Sequence, residues 1–108
     1  GIHRYGSCFL PMDEALAHVV LDFSGRPLLV WRAEIPKVVL GNLETEMIEE
    51  FFRAVASESG LTLHVRLLYG QNTHHIVEAI FKAFARALAE AVAIDARVKG
   101  VMSSKGKL

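Results

Sequence analysis

Residues 61–92 read LTLHVRLLYG QNTHHIVEAI FKAFARALAE AV, and a change of period inside this stretch decides the fold. Leu61, Leu63, Val65 and Leu67 alternate with Thr62, His64, Arg66 and Leu68, the period-two pattern of a half-buried strand, and Gly70 stops it. The period then becomes helical. Asn72 or Thr73 can cap the start, and Ile76, Ile80, Phe84, Leu88 and Val92 predict a buried stripe through an alanine-rich run. Upstream, Thr45 is a plausible N-cap with Glu46, Glu49 and Glu50 in the first turns. Met47, Ile48, Phe51, Phe52 and Val55 follow at helical spacing, and Ser57 to Gly60 ends that helix, one face of which packs on a sheet. Extended stretches are expected at Ser7 to Leu10, Ala17 to Phe23 and Leu28 to Arg32. The last two read as a hairpin across Ser24-Gly25-Arg26-Pro27. Pro36 and Gly41 bracket a connector with room for a further short extended piece. After Ile94 the residues are small and polar, and 96–108 reads as a mobile tail. The expected architecture is α+β: one two-layer domain over 1–108, ordered β-β-β-α-β-α, with both helices on one face of a four-stranded sheet.

At 108 residues and 52% hydrophobic content the chain can bury one core. Lys plus Arg and Asp plus Glu are 12 each, which argues against nucleic acid or an anionic membrane as partner, so any anion site must be local. Cys8 has no second cysteine to pair with. No apolar run approaches the ~18 residues a membrane span needs. A cytoplasmic setting is expected. The start at Gly1 suggests a trimmed or partial chain.

His74-His75-Ile76-Val77-Glu78 opens the second helix. His74 and Glu78 are four apart and His75 and Glu78 three apart, so each imidazole can share a face with the carboxylate. The two imidazoles cannot share one, because adjacent helical residues point about 100° apart. The motif therefore suits two ions, one on each side of the helix, drawn from the borderline divalent metals. Each ion would need ligands from other segments or subunits. The positive end of the helix dipole should keep both imidazoles neutral and able to ligate. The same pair also reads as exposed polar surface. His3, His18 and His64 read as structural or surface residues.

The run from Thr62-Leu63-His64-Val65 through Asn72-Thr73-His74-His75-Ile76-Val77-Glu78 to Leu88 resembles the imidazoleglycerol-phosphate dehydratase family. Gly1-Ile2-His3-Arg4-Tyr5-Gly6, Pro11-Met12-Asp13-Glu14-Ala15-Leu16-Ala17, Ser24-Gly25-Arg26-Pro27, Thr45-Glu46 and Gly100-Val101-Met102-Ser103-Ser104-Lys105-Gly106 stand in the family's order. The resemblance implies the second of two similar halves, each with its own His-His-x-x-Glu helix. The first half is then absent through truncation, cleavage or a split gene. His74, His75 and Glu78 match a motif that shares two manganese ions with motifs of other subunits. Glu50 stands where many members carry a metal-binding His; it is either a replacement donor or a solvated helix residue. Phosphate binding maps onto Arg4, Arg26, Lys82, Ser103, Ser104 and Lys105, a donor set suited to an anion. Lys82 with Glu78 also reads as a surface helix pair. Asp13 matches an acidic residue near the substrate hydroxyls, or is an ordinary residue of a strand bend.

The implied reaction is loss of water from imidazoleglycerol phosphate to give imidazoleacetol phosphate, a step of histidine biosynthesis without redox cofactor. A carboxylate removes the C2 proton and the ring serves as electron sink for departure of the C3 hydroxyl. The implied partners are an N-terminal half or neighbouring subunits, in a homo-oligomer that reaches 24 subunits in the family. This chain alone is expected to be inactive. The alternative is a non-catalytic, self-assembling or metal-binding half-domain, since the same layout occurs in RNA-binding ribosomal domains.

Overall fold

The alternating stretch at 61–68 becomes a strand, and its neighbours set the topology. The computed structural model describes residues 1–97. In chain order the elements are β1 (Tyr5–Met12), β2 (Ala15–Asp22), β3 (Leu28–Arg32), β4 (Val39–Leu40), β5 (Leu43–Glu44), α1 (Glu46–Ser59), β6 (Thr62–Tyr69) and α2 (Thr73–Val92). The main sheet runs β1-β2-β6-β3, and the short β4-β5 hairpin lies in the connector where an extra extended piece is expected. The α+β class and the four-stranded sheet follow the sequence reading.

The expected β2-β3 hairpin does not form. β2 pairs antiparallel with both β1 and β6, while β3 pairs parallel with β6. β6 can bond on both edges, so it occupies the gap between β2 and β3. The Ser24–Pro27 segment then arches over the start of β6. Gly25 N donates to Gly60 O at 3.0 Å, Leu28 N to Leu61 O at 3.0 Å, and the Ser24 and Thr62 hydroxyls lie 2.7 Å apart. The tight hairpin is instead β1-β2, where Met12 faces Ala15 across a two-residue Asp13-Glu14 loop and Asp13 takes φ 51°. Asp tolerates that left-handed conformation better than most residues.

Both helices cover the same sheet face. Ala15, Ala17, Val19, Leu21, Leu63 and Val65 from the strands meet Ile48, Phe52 and Ala56 of α1 and Ile76, Ile80 and Ala83 of α2 in one core. Phe52 joins the layers, with the rings of Trp31, Phe81 and Phe84 centred 5.9, 5.0 and 5.2 Å away. The buried stripe of α2 differs from the one expected. It is Ile76, Ala79, Ile80, Ala83, Ala87 and Ala91, with Phe84 and Leu88 half-buried and Val92 exposed. Steps of four residues drift about 40° per step around a helix of 3.6 residues per turn, so the Ile80-Phe84-Leu88-Val92 row rotates off the sheet. The alanines let α2 lie close to β1: a Cβ built on Gly6 would fall 1.8 Å from the Ala87 carbonyl oxygen.

On α1, Met47 and Phe51 face outward, 53% and 47% exposed, contrary to the single inward face expected. Thr45 precedes α1 but makes no side-chain cap. It is buried, its hydroxyl donates to Pro36 O at 2.7 Å, and Val38 N donates back to it at 3.0 Å. The connector takes the hydroxyl that the helix was expected to use. At the far end of α2, Arg4 N donates to Ala91 O at 2.8 Å and His3 N to Ala93 O at 3.0 Å, so the start of the chain satisfies orphan carbonyls of the helix terminus. Among the described residues no helix is long and apolar enough to cross a membrane.

Candidate metal centre

β6 ends at Tyr69, and three residues later Asn72 accepts the His75 backbone N–H at 3.0 Å and starts α2. That cap fixes the angular positions of His74 and His75. His74 projects to one side, where its Nε2 lies 3.1 Å from Glu78 Oε1 one turn on. The other Glu78 oxygen accepts from Lys82 Nζ at 2.7 Å, and this bond holds the carboxylate below its ordinary pKa. His75 projects the other way, toward the β1-β2 loop. Its Nδ1 lies 2.6 Å from Glu14 Oε1 and its Nε2 3.3 Å from Asp13 Oδ2.

The positive end of the helix dipole favours neutral imidazoles at this position. At His75 the balance goes the other way: the hydrogen bond to Glu14 raises its pKa, and the charges of Glu14, Asp13 and Glu78 act in the same direction. Glu14 itself is lowered to about 2, first by the N–H of Gln71, then by His75 and the N–H of Asn72. One carboxylate thus closes the hairpin tip onto the start of the metal-type helix. Nothing in sequence spacing ties Glu14 to His75, 61 residues away. The available signal was an acidic residue in a two-residue turn.

Two donors bound to one divalent ion at about 2.0–2.2 Å and at right angles are about 3 Å apart. The His74–Glu78 separation of 3.1 Å has that dimension, so these side chains fit adjacent positions on one ion. His75, on the other side of the helix, suits a second. Among the described residues no three metal-type side chains converge. Glu50 stands exposed on α1 beside the apolar groove of Leu43, Met47, Phe51 and Phe81, and joins no cluster with the α2 donors.

The phosphate candidates are dispersed. Arg4, with φ 79°, gives its Nε to Asp22 Oδ1 at 2.7 Å, and this bond raises its pKa. Arg26 lies in the loop over β6, with Nη1 3.4 Å from Ser24 O. Both sit at the end of the sheet opposite to Asp13 and the α2 N-terminus. The eight residues of β1 span that interval, about 25 Å at a strand rise of ~3.3 Å per residue. Lys82 is on α2, paired with Glu78. Ser103, Ser104 and Lys105 lie outside the described residues, as does most of the expected mobile tail. His18 stacks on Phe9 at 3.7 Å on the open sheet face, and Arg66 Nε donates to its Nδ1 at 3.1 Å. His64 is exposed on the same face, and both are remote in role from the α2 donors.

A family profile described as imidazoleglycerol-phosphate dehydratase matches residues 1–88. The chain belongs to the imidazoleglycerol-phosphate dehydratase family. The curated dehydratase of Acetivibrio thermocellus is 64% identical over 107 residues, 99% of this chain and 55% of that protein, and the Moorella thermoacetica enzyme is 58% identical over 108 residues. The crystal structure of the Staphylococcus aureus dehydratase superposes with a TM-score of 0.84 at 52% identity, covering 87% of this chain and 55% of that one. The Pyrococcus furiosus structure gives 0.85 at 34% identity, covering 99% and 58%. The chain thus spans about half the length of the dehydratases it matches.

Proposed function

We propose that this chain supplies one half of a two-manganese hydro-lyase centre that converts imidazoleglycerol phosphate to imidazoleacetol phosphate, and that residues outside it complete the centre. The observation that carries the proposal is the two-sided donor arrangement at the start of α2. His74 and Glu78 are set for one ion and His75 for another, and among the described residues no three metal-type side chains converge at either. Bound metal would supply Lewis-acid polarisation of the substrate ring. His74, Glu78 and His75 would hold it. Lys82 holds Glu78 below its ordinary pKa, and Asp13, whose carboxylate lies 3.3 Å from His75 Nε2, would touch a substrate hydroxyl. Arg4 and Arg26 would take the phosphate together with Lys82, Ser103, Ser104 and Lys105. Because Arg4 and Arg26 are a strand's length from the metal helix, one copy cannot present both sets to a single small substrate. Arg4 and Arg26 would then face the metal donors and Lys82 of a neighbouring subunit, in a homo-oligomer of the 24-subunit kind and in a reducing cytoplasm that suits the unpaired Cys8.

The test is elemental analysis and solution mass of the purified 108-residue chain, with and without EDTA, beside a dehydratase assay. Manganese bound without turnover is expected. Turnover by this chain alone would refute the half-site. A second reading, a non-catalytic self-assembling half, draws on the exposed Met47, Phe51 and Leu43 around the α1 groove. A stable oligomer whose mass ignores manganese and EDTA would favour it.

A further inference from the structure

Glu14 is the second residue of the two-residue β1-β2 loop, and its carboxylate is fully engaged. Oε2 accepts the backbone N–H groups of Gln71 and Asn72, each at 2.9 Å, and Oε1 meets His75 Nδ1 at 2.6 Å. The first two bonds lock the carboxylate against the segment that enters α2. The third therefore has a fixed direction. A carboxylate is an acceptor only, so the imidazole nitrogen facing it must carry the proton. A neutral ring has a single N–H, which stays on Nδ1, 2.6 Å from the anchored Glu14, in preference to Nε2, 3.3 Å from the 75% exposed Asp13, so Nε2 keeps the lone pair. That nitrogen faces away from Glu14 and toward Asp13, whose Oδ2 is 3.3 Å off.

We propose that Glu14 is a positioning residue that fixes His75 in the Nδ1–H tautomer and presents Nε2 as its metal-ligating nitrogen. This rests on the reading of His75 as a ligand. Metal-bound imidazoles commonly donate their second N–H to a carboxylate, which sets the ring's tautomer and orientation and strengthens it as a donor. The two backbone bonds make the arrangement independent of the metal, because they pin the carboxylate before any ion arrives. They also separate Glu14 from Asp13: with side chains 38% and 75% exposed, the first is anchored and the second is free to meet a substrate.

The test uses the 108-residue chain with 15N-labelled histidine, metal-free and at a pH where His75 is neutral. Long-range 15N–1H spectra distinguish the two tautomers. The native chain should show His75 as Nδ1–H, and Glu14→Ala should shift it to Nε2–H, the form a free histidine side chain favours. Titration with manganese(II) alone, read by electron paramagnetic resonance, should show affinity falling 10- to 100-fold in Glu14→Ala, the usual cost of losing such a partner. If Glu14→Ala does not fold, Glu14→Gln carries the test: one amide oxygen cannot serve all three donors, so a tautomer mixture and an intermediate affinity are expected. A native His75 protonated on Nε2, or a folded variant that binds manganese as tightly as the native chain, overturns the role of Glu14. A native chain with the expected tautomer that binds no manganese overturns the ligand reading beneath it.

Discussion

Replacing Gly6 with alanine tests how the helix that carries His74, His75 and Glu78 is seated. The added Cβ would lie 1.8 Å from the Ala87 oxygen, 2.7 Å from its carbonyl carbon and 3.2 Å from Ala91 Cβ. Unstrained heavy-atom contacts are about 3.5 Å, so β1 and α2 must part by about 1.7 Å. Overpacking that side chains can absorb costs about 1–3 kcal/mol. Here the obstacle is helix backbone, which places Gly6→Ala at about 3 kcal/mol or more. At about 4–8 °C per kcal/mol for a domain of this size, the melting temperature should fall by about 12 °C or more in thermal unfolding followed by circular dichroism. Gly25→Ala is the control. Its Cβ would meet nothing within 4 Å, so only its φ of 77° opposes the change, at about 1–2 kcal/mol. A Gly6→Ala chain that melts within about 3 °C of the native one, or higher than Gly25→Ala, would refute the close seating.

Phe52→Ala should cost about 3–5 kcal/mol in urea unfolding, since Phe52 is fully buried among Trp31, Phe81 and Phe84; less than 1.5 kcal/mol would mean the rings do not join the two layers. Asn72→Ala removes the acceptor for His75 N–H and should cost about 1 kcal/mol, with amide exchange accelerated in the first turn of α2 and unchanged at its end. His18 is desolvated and faces Arg66, so its folded pKa lies below 6.5. As pH falls, the unfolded chain takes up this proton first. Stability contributed here is therefore present above pH 6.5, declines as pH falls from there to the folded pKa, and is flat below it. The native chain should lose more stability than His18→Gln between pH 8 and pH 5.5, and an equal loss in both would sink this assignment.

The parts of the fold legible in the sequence are those set by period. Leu61 to Leu68 and Ala17 to Phe23 alternate, and strands formed over Thr62–Tyr69 and Ala15–Asp22 with Leu63, Val65, Ala17, Val19 and Leu21 inward. Adjacency was less legible. The hairpin reading at Ser24–Pro27 rested on nearness in sequence, whereas the pairing depended on β6, more than thirty residues downstream. In α2 the small apolar area of alanine gives a weak signal, yet Ala83, Ala87 and Ala91 are fully buried, and Ala87 and Ala91 lie against Gly6 of β1. At the candidate centre, the divergence of His74 and His75 followed from helix geometry alone. The anchoring of His75 by Glu14 did not, because it depends on where a hairpin tip lands. The Arg4–Asp22 pair was hidden likewise, being local only after β1 and β2 have paired.

The central place of β6 has a kinetic consequence. β1 and β2 can zip across Asp13-Glu14 as soon as both are made, but β2 must await a partner such as Val65 for Val19, and β3 must await the same strand to bond at all. Long-range closures of this kind slow folding, because chain entropy is lost before contacts repay it. During synthesis β3 emerges before β6, the strand it pairs with, which leaves its Leu28-Leu29-Val30-Trp31 run waiting for that edge. The sheet is completed from its middle, by the last strand to appear, and the residues immediately after that strand are the helix start bearing His74 and His75.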